Sequence, residues 1–546
     1  MMLRRDYRRS IIFGTAAFAA VFLFMALAVF ALLSFDAGAS ASGISDPYTL
    51  RILRFTVYQA TLSTLLSIIL GLPVALALSR QREFPGRIWI IRLMAVPMGL
   101  PVIVGAFGII TIWGRQGVLN TLLVFAGAEE PFSIYGLSGI LIAHVFFNLP
   151  LSVRLLLAGL ERIPGEYWRM AASLGMGPIS VFRFVEWPAV SRLVPGIAGL
   201  IFMLCATSFT LVLLLGGGPA ATTLEVAIYQ ALRFDFDPQR AIALSVLQIV
   251  LTAALLGLLA FLPSPEAEIA SLGRPVRRFD AGRAAARLWD GLIIVSAVLL
   301  IGLPLVAIVF SGVQADLPRL ITAPVFLRAA ATSLGIAAFS AIFVIIVSMA
   351  IIRARQAVSA KRRAARPLHL LSSVLGAGSS LVLLVPPVVL GSGWFLLLRP
   401  FGDVAVYAPV LVALINMLMA LPLAMRVLEP AVTSHFLRTG RLSASLGLQG
   451  LPRLRFGDLP VLWRPLAMAF SFAMALSLGD LGAVALFGSE NFVTLPWLVY
   501  SNMGSYRTND AAGYAFLLGV VCLLLAATGV SRHSQPEQAK AAEAMT

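Results

Sequence analysis

Apolar runs of about 20 residues recur along the whole chain, and they constrain its fold more than any other feature. A helix of that length crosses the hydrocarbon core of a bilayer. Hydrophobic residues make up 59% of the 546 residues and charged residues only 12%, whereas soluble domains are roughly a quarter charged. The sequence therefore predicts an all-α integral membrane protein embedded in a lipid bilayer.

The apolar runs predict twelve transmembrane helices, six in each half of the chain. They lie at roughly 11–33, 55–78, 88–113, 134–158, 193–215 and 240–262, then at 291–312, 328–352, 369–398, 405–428, 464–487 and 513–530. The first run follows a cluster of arginines but is too long for a typical signal peptide, so we expect it to be retained. An even number of helices places both termini on one side.

The formal net charge of +16 is distributed over loops rather than gathered on one domain. Most of the 41 Lys and Arg fall in loops on one side of the predicted helices. The positive-inside rule identifies that side as the cytoplasm, which also receives both termini. The distribution of basic residues thus indicates how the chain is oriented in the membrane, and we expect no nucleic-acid partner.

One short segment occurs twice. Ala171-Ala172-Ser173-Leu174-Gly175 is followed thirteen residues after its glycine by Pro188, and Ala444-Ser445-Leu446-Gly447 is followed at the same interval by Pro460. The copies are 272 residues apart, as are the Leu-Pro dipeptides at 149–150 and 421–422. Such matches indicate an internal duplication. Each copy is amphipathic, which suits a helix at a membrane surface or in a partner's groove; the alternative is an ordinary loop with a turn at the glycine.

The duplication divides the chain into six parts. They are a first helix with an outside loop (1–54), a first repeat core (55–262), a cytoplasmic linker (263–290), a seventh helix with an outside loop (291–327), a second repeat core (328–530) and a cytoplasmic tail (531–546). Because each repeat has an even number of helices, the two repeats are predicted to be parallel. They can therefore present equivalent cytoplasmic loops to a symmetric pair of partners.

The sequence contains no recognisable catalytic, nucleotide-binding or metal-binding motif. There is no Gly-Lys dipeptide, and hence no phosphate-binding loop with its lysine. No Ser, His and carboxylate arrangement has the spacing of a known hydrolase. Cys205 and Cys522 lie in apolar runs, and His144 lies within a predicted helix, so all three are interpreted as packing residues. We assign no catalytic residue and no metal ligand, and expect the chain not to be an enzyme.

The repeated segments resemble the EAA loops of binding-protein-dependent ABC importer permeases of type I. In that family the loop forms a coupling helix that enters a cleft on the ATPase. The resemblance assigns this coupling role to Ala171, Ala172, Gly175, Pro188, Ala444, Gly447 and Pro460. The family's usual glutamate, six residues before the glycine, is replaced here by Arg169 and Arg441, and Glu166 lies three residues before the first of these.

Several further motifs resemble the fused permeases of thiamine ABC importers. They are Gly114-Arg115-Gln116-Gly117, the segment 144–150, the segment 182–188, the segment 216–223, Ile228-Tyr229-Gln230-Ala231-Leu232 and Gly504-Ser505-Tyr506-Arg507. This resemblance implies a bacterial inner-membrane permease that takes up thiamine and its phosphates. It also implies a periplasmic substrate-binding protein and a cytoplasmic ABC ATPase homodimer that binds the ATP, with no cofactor in this chain. A fused iron(III) permease and a non-transporting membrane scaffold are the alternatives.

Asp480 is the one carboxylate inside a predicted span, and the position 272 residues earlier is Ser208. A charge at membrane depth is costly and usually faces a cavity or a partner. Asp480 and Ser208 are therefore candidates for the substrate pathway, where an anion would help a cation to cross. The alternative is that Asp480 accepts hydrogen bonds that fix helix packing.

Overall fold

The computed structural model describes residues 2–34, 46–127, 132–261, 278–282, 284–359, 366–448, 452–488, 492–505 and 507–530. Most of the predicted linker and the whole predicted tail, 531–546, lie outside the described residues. Residues 278–282 and 284–290 of the linker are described.

The first half is a series of helices of very different lengths. They are α1 (Met2–Ser34), α2 (Pro47–Arg80), α3 (Arg87–Leu93), α4 (Val96–Gly99), α5 (Val102–Trp113), α6 (Val118–Phe125), α7 (Leu137–Glu161), α8 (Gly165–Ser173), α9 (Pro178–Val181), α10 (Trp187–Ser191), α11 (Val194–Ala206), α12 (Thr210–Leu215), α13 (Leu224–Arg233) and α14 (Pro238–Phe261). A π-helical turn occupies Phe182–Glu186, and a 3-10 turn occupies Pro219–Ala221.

The second half contains ten α-helices among its described residues. They are α15 (Ala284–Gln314), α16 (Leu317–Thr322), α17 (Pro324–Ser359), α18 (Arg366–Leu381), α19 (Pro387–Leu398), α20 (Ala408–Ser445), α21 (Leu459–Leu478), α22 (Gly482–Phe487), α23 (Leu495–Gly504) and α24 (Thr508–Val530). A π-helical turn occupies Arg453–Asp458, and 3-10 turns occupy Phe279–Gly282, Val382–Leu384, Arg399–Phe401 and Val404–Val406.

Ten helical segments in the described part of the chain are long and apolar enough to cross a membrane. A bent pair, Pro178–Ser191 and Val194–Ala206 at 54°, raises the number to eleven. The prediction of a multi-pass helical membrane protein is therefore confirmed. The finer prediction of twelve continuous spans differs from the structure at four sites, and prolines mark two of them. The region 88–113 is divided among α3, α4 and α5, and 369–398 is divided among α18, a 3-10 turn and α19.

Prolines account for these two divisions. Pro97 lies at the start of α4, Pro101 directly precedes α5, and Pro386 and Pro387 lie at the start of α19. Proline lacks an N–H and clashes with the preceding helical turn, and it also disfavours helical geometry in the residue before it. Hydropathy measures the length of an apolar run and does not report such interruptions.

The first helix of each half packs against the other half. Helix α1 contacts α17 and α19, while α15 contacts α2 and α5 as well as α24. Both crossings bring backbones together at a glycine: a Cβ on Gly393 would lie 2.3 Å from the carbonyl oxygen of Ala28, and one on Gly108 would lie 2.6 Å from that of Pro304. Small residues permit this close packing of membrane helices. The two halves are interlocked as a result.

Candidate functional site

The first predicted coupling segment is a short helix closed by a glycine turn. Helix α8 ends at Ser173, and Gly175 has φ +59°. The Met176 N–H then donates to the Ala171 carbonyl at 3.0 Å. This left-handed ending satisfies a carbonyl that has no helical partner. Ala171 is buried, whereas Ala172 is exposed.

The second segment ends with the same turn. Helix α20 ends at Ser445 and includes Ala444, and Gly447 has φ +65°. The Leu448 N–H donates to the Ser443 carbonyl at 3.0 Å. These two residues are 272 positions after Met176 and Ala171, so the hydrogen bond that closes the turn recurs at equivalent positions.

The segments differ in how they join the preceding helix. In the first half α7 ends at Glu161 and α8 begins at Gly165, with Pro164 at its N-cap. In the second half α20 continues through Phe436 and Leu437, the positions equivalent to this proline and glycine. Proline and glycine disfavour a continuous helix, so the first coupling helix is a separate element and the second is not.

Both segments expose apolar side chains. In the first, Met170 is 55% exposed and Leu174 is 69% exposed. The equivalent positions of the second are Leu442 and Leu446, at 60% and 64%. Clustered exposed apolar groups indicate a contact surface. Arg169 forms an exposed ion pair with Glu166 at 3.2 Å, so the arginine that replaces the family's glutamate is paired within its own helix.

The chain returns from each segment through a π-helical turn. Pro188 and Pro460 are both exposed, and each is the second residue of the helix that follows its turn, α10 and α21. The turns end at Glu186 and Asp458, which are 272 residues apart and both buried. Sequence reasoning missed these two acids. The offset of 272 was the available signal, because it pairs one acid with the other.

The helix after each coupling segment is broken at matching positions. Helix α11 ends at Ala206 and α12 begins at Thr210, while α21 ends at Leu478 and α22 begins at Gly482. All these bounds differ by 272. The predicted spans 193–215 and 464–487 are therefore interrupted, and Ser208 and Asp480 lie within the interruptions.

Asp480 caps the short helix that follows it. Its Oδ1 accepts a hydrogen bond from the Gly482 N–H at 3.1 Å, and its Oδ2 accepts one from the Ala483 N–H at 3.3 Å. An acidic side chain at this position accepts hydrogen bonds from two backbone N–H groups that have no partner within the helix. Its charge also complements the positive end of the helix dipole. These donors belong to the segment of Asp480 itself, not to neighbouring helices.

Buried amides support the helix ends before both breaks. Gln59 donates from Nε2 to the Cys205 carbonyl at 3.0 Å, and Asn148 donates to the Cys205 Sγ at 3.3 Å. In the second half Asn416 donates to the Ser477 Oγ at 2.9 Å. Cys205 and Ser477 are equivalent positions. His144, equivalent to Asn416, is 2.9 Å from the Ser63 Oγ through its Nδ1, which fits the predicted packing role.

The two breaks approach each other across the halves. Phe209 lies in the first break, and Gly482 is the first residue after the second. A Cβ atom built on Gly482 would lie 3.8 Å from the Cδ1 of Phe209. Interrupted helices in membranes are tolerated where their backbone is buried in protein or lines a cavity. In the part of the chain that the structure describes, no three His, Cys, Asp or Glu side chains form a group that could hold a metal ion.

No protein-family model matches the chain, but individual proteins do. The chain is 47% identical over 509 residues to the thiamine transport system permease protein ThiP of Brucella abortus, covering 93% of this chain and 92% of that protein. It is 45% identical over 480 residues to the protein of the same name from Escherichia coli, covering 88% of each. A shorter match, 32% over 218 residues, covers 38% of this chain and 78% of the molybdenum transport system permease protein ModB of Mycobacterium bovis.

Proposed function

Because the chain belongs to the family of thiamine transport system permease proteins, we propose that it imports thiamine as the membrane permease subunit of a bacterial ABC transporter. The end-to-end similarity to its Brucella relative, 47% over 93% of the chain, carries this conclusion. The multi-pass helical fold agrees with a location in the bacterial inner membrane. No observation favours the iron(III) permease or the membrane scaffold.

The proposed arrangement has two parallel repeats of six membrane segments each, with the domain bounds given above and both termini in the cytoplasm. Three features support it: the shared glycine turns, the matching helix breaks and the reciprocal crossing of α1 and α15. The ModB match also supports it, because most of that protein aligns with well under half of this chain.

The two coupling segments would each engage one protomer of a cytoplasmic ABC ATPase homodimer. ATP would bind to that partner, and this chain would need no cofactor of its own. The exposed apolar side chains at the glycine turns supply the contact surface. A periplasmic binding protein would deliver thiamine or its phosphates to the opposite side, where the broken helices, with Ser208 and Asp480, would border the passage.

Reconstitution tests the proposal. The permease, its ATPase and the periplasmic binding protein are placed in proteoliposomes, and uptake of labelled thiamine, thiamine monophosphate and thiamine diphosphate is measured. We expect ATP-dependent uptake of thiamine that disappears when a non-hydrolysable analogue replaces ATP. Absence of thiamine uptake, with uptake from an iron(III)-loaded binding protein instead, would contradict the proposed substrate.

A further inference from the structure

The two buried acids at the π-helical turns are held in different ways. Glu186 is 1% exposed and Asp458 is 4% exposed. A buried carboxylate requires a charged or hydrogen-bonding partner, because transfer of an unpaired charge from water is strongly unfavourable. The source of that partner differs between the halves.

In the second half Asp458 has three partners, Arg353, Arg453 and His435, and one of them, His435, belongs to the helix that leads into the coupling segment. The His435 Nε2 lies 3.0 Å from the Asp458 Oδ1, and His435 belongs to α20, which runs directly into the coupling segment. Arg353 of α17 adds a contact to Oδ2 at 2.5 Å. His435 lies on the outgoing arm, the helix that leads into the coupling segment. Asp458 lies on the returning arm, the π-helical turn that follows the segment. Their contact thus joins the two arms directly.

The first half lacks this connection. The position equivalent to His435 is Ile163, which cannot bond to a carboxylate, and Pro164 follows it. Arg278 supplies the missing partner from the connector between the halves. Its Nη2 lies 2.7 Å from the Glu186 Oε1, and its guanidinium lies 4.0 Å from the centre of the Trp168 ring in α8. One side chain therefore contacts both arms of the first segment, and it is fully buried.

Arg278 is itself fixed by neighbouring charges. Its Nε and Nη2 donate to the Asp280 carboxylate at 3.0 and 2.7 Å. Asp280 also pairs with Arg80 at 3.4 Å, and Arg80 pairs with Asp290 at 2.8 Å. Burial alone would raise the pKa of Asp280, but the hydrogen bonds and charge of Arg278 outweigh it and lower that pKa. The ionic network joins the C-terminal end of α2 and the N-terminal part of α15 to the connector.

We propose that Arg278 is a positioning residue for the first coupling segment, supplying from the connector the clamp that the second segment obtains from its own His435. The connector is then a working part of one coupling site, and the two sites are mechanically unequal although their glycine turns match. The link to transport rests on the proposed importer function, while the clamp itself concerns only the position of the segment.

Spin labels at the equivalent tips test the clamp in the full chain. Nitroxides are attached at Leu174→Cys or Leu446→Cys, both exposed sites, while Cys205 and Cys522 are fully buried. We expect Arg278→Gln to convert the immobilised spectral component at position 174 into a mobile one and to leave position 446 unchanged. Asp458→Asn should mobilise the label at position 446 and leave the label at position 174 unchanged. If Arg278→Gln does not accumulate, Arg278→Lys is measured by the same criterion, because lysine keeps the charge but loses the planar contact with Trp168.

Unchanged mobility at position 174, or equal mobilisation at both tips, would overturn the proposal.

Thiamine transported per ATP hydrolysed in the reconstituted importer is the second measurement. We expect a fall of roughly five- to tenfold for Arg278→Gln, in the lower part of the range for coupling between sites. The matched control is Arg240→Gln, which removes an exposed arginine paired with Asp235 and Asp237. A wild-type importer without thiamine uptake would refute the function and not the clamp.

Discussion

Gly175 and Gly447 matter through their backbone conformation rather than through lack of space. Both have positive φ, and a Cβ built on either would meet no heavy atom within 4 Å. A side chain at either site would therefore be strained by the left-handed geometry alone, at about 1–3 kcal/mol. The sequence identified both positions from their recurrence, and the structure supplies this reason for them.

We predict that Gly175→Val and Gly447→Val insert normally but lose transport. A β-branched residue is a strong outlier at positive φ, so the turn must change and displace the apolar tip beside it. Membrane accumulation and thiamine uptake are the two measurements. Gly177→Val is the control, because Gly177 lies in the same loop with φ −77° and has equally open space. Normal uptake by both turn variants would show that the segments do not couple as proposed.

The buried partners of the coupling segments could not be found by reading along the chain. Glu186 and Arg278 are separated along the chain by two predicted membrane spans, 193–215 and 240–262, and their contact depends on how the helices pack. A single arginine in a basic connector also resembles many solvated arginines. The offset between the halves could have singled out Glu186 and Asp458, but nothing in the sequence indicates that different side chains hold them.

At the scale of elements, the broken helices are the main departure from the predicted spans. The first break, at 207–209, reads Thr-Ser-Phe and contains neither proline nor glycine. Its apolar flanks have the hydropathy of a continuous span, so composition gives no local signal. Tertiary contacts at the break include the donation from Gln59 to the Cys205 carbonyl near the end of α11. Such contacts are absent from any local pattern.

Asp480 provides a prediction about the second break. We expect Asp480→Asn to accumulate and to transport thiamine within about twofold of wild type, because asparagine caps helices nearly as well as aspartate. Asp480→Leu removes both acceptors of the α22 amides and should lower the thermal unfolding temperature in detergent, with a cost of about 1–3 kcal/mol for the unsatisfied groups. Normal assembly of Asp480→Asn with transport lowered for the cationic substrate would instead support a direct role in the pathway.

For the whole molecule, the ionic contacts bear on topology. Arg278, Glu186 and Arg80 form one network, and all three lie in regions predicted to be cytoplasmic. Arg319 pairs with Asp510, and these two residues belong to separate loops that are both predicted to lie outside. Two loops in contact must occupy the same side of a membrane. The pairs therefore agree with an orientation that was derived independently from the distribution of basic residues.

This agreement leads to a topology prediction for the intact chain. Reporters fused near Arg87, Leu174, Arg278, Arg363 and Leu446 should be cytoplasmic, and those near Glu129, Asp235, Asp316, Asp403 and Asp510 should be outside. Glu129 and Arg363 lie outside the described residues, so their positions depend on the parity of the flanking spans alone. The region 88–125 decides most, because the prediction places one crossing at 88–113 whereas the candidate span of the structure is Val102–Phe125. The activity of each fused reporter in intact cells is the measurement, and the accessibility of cysteines introduced at the same positions to an impermeant reagent is its check. A cytoplasmic result at any of the five outside positions would shift the parity of every later span and require a different number of crossings.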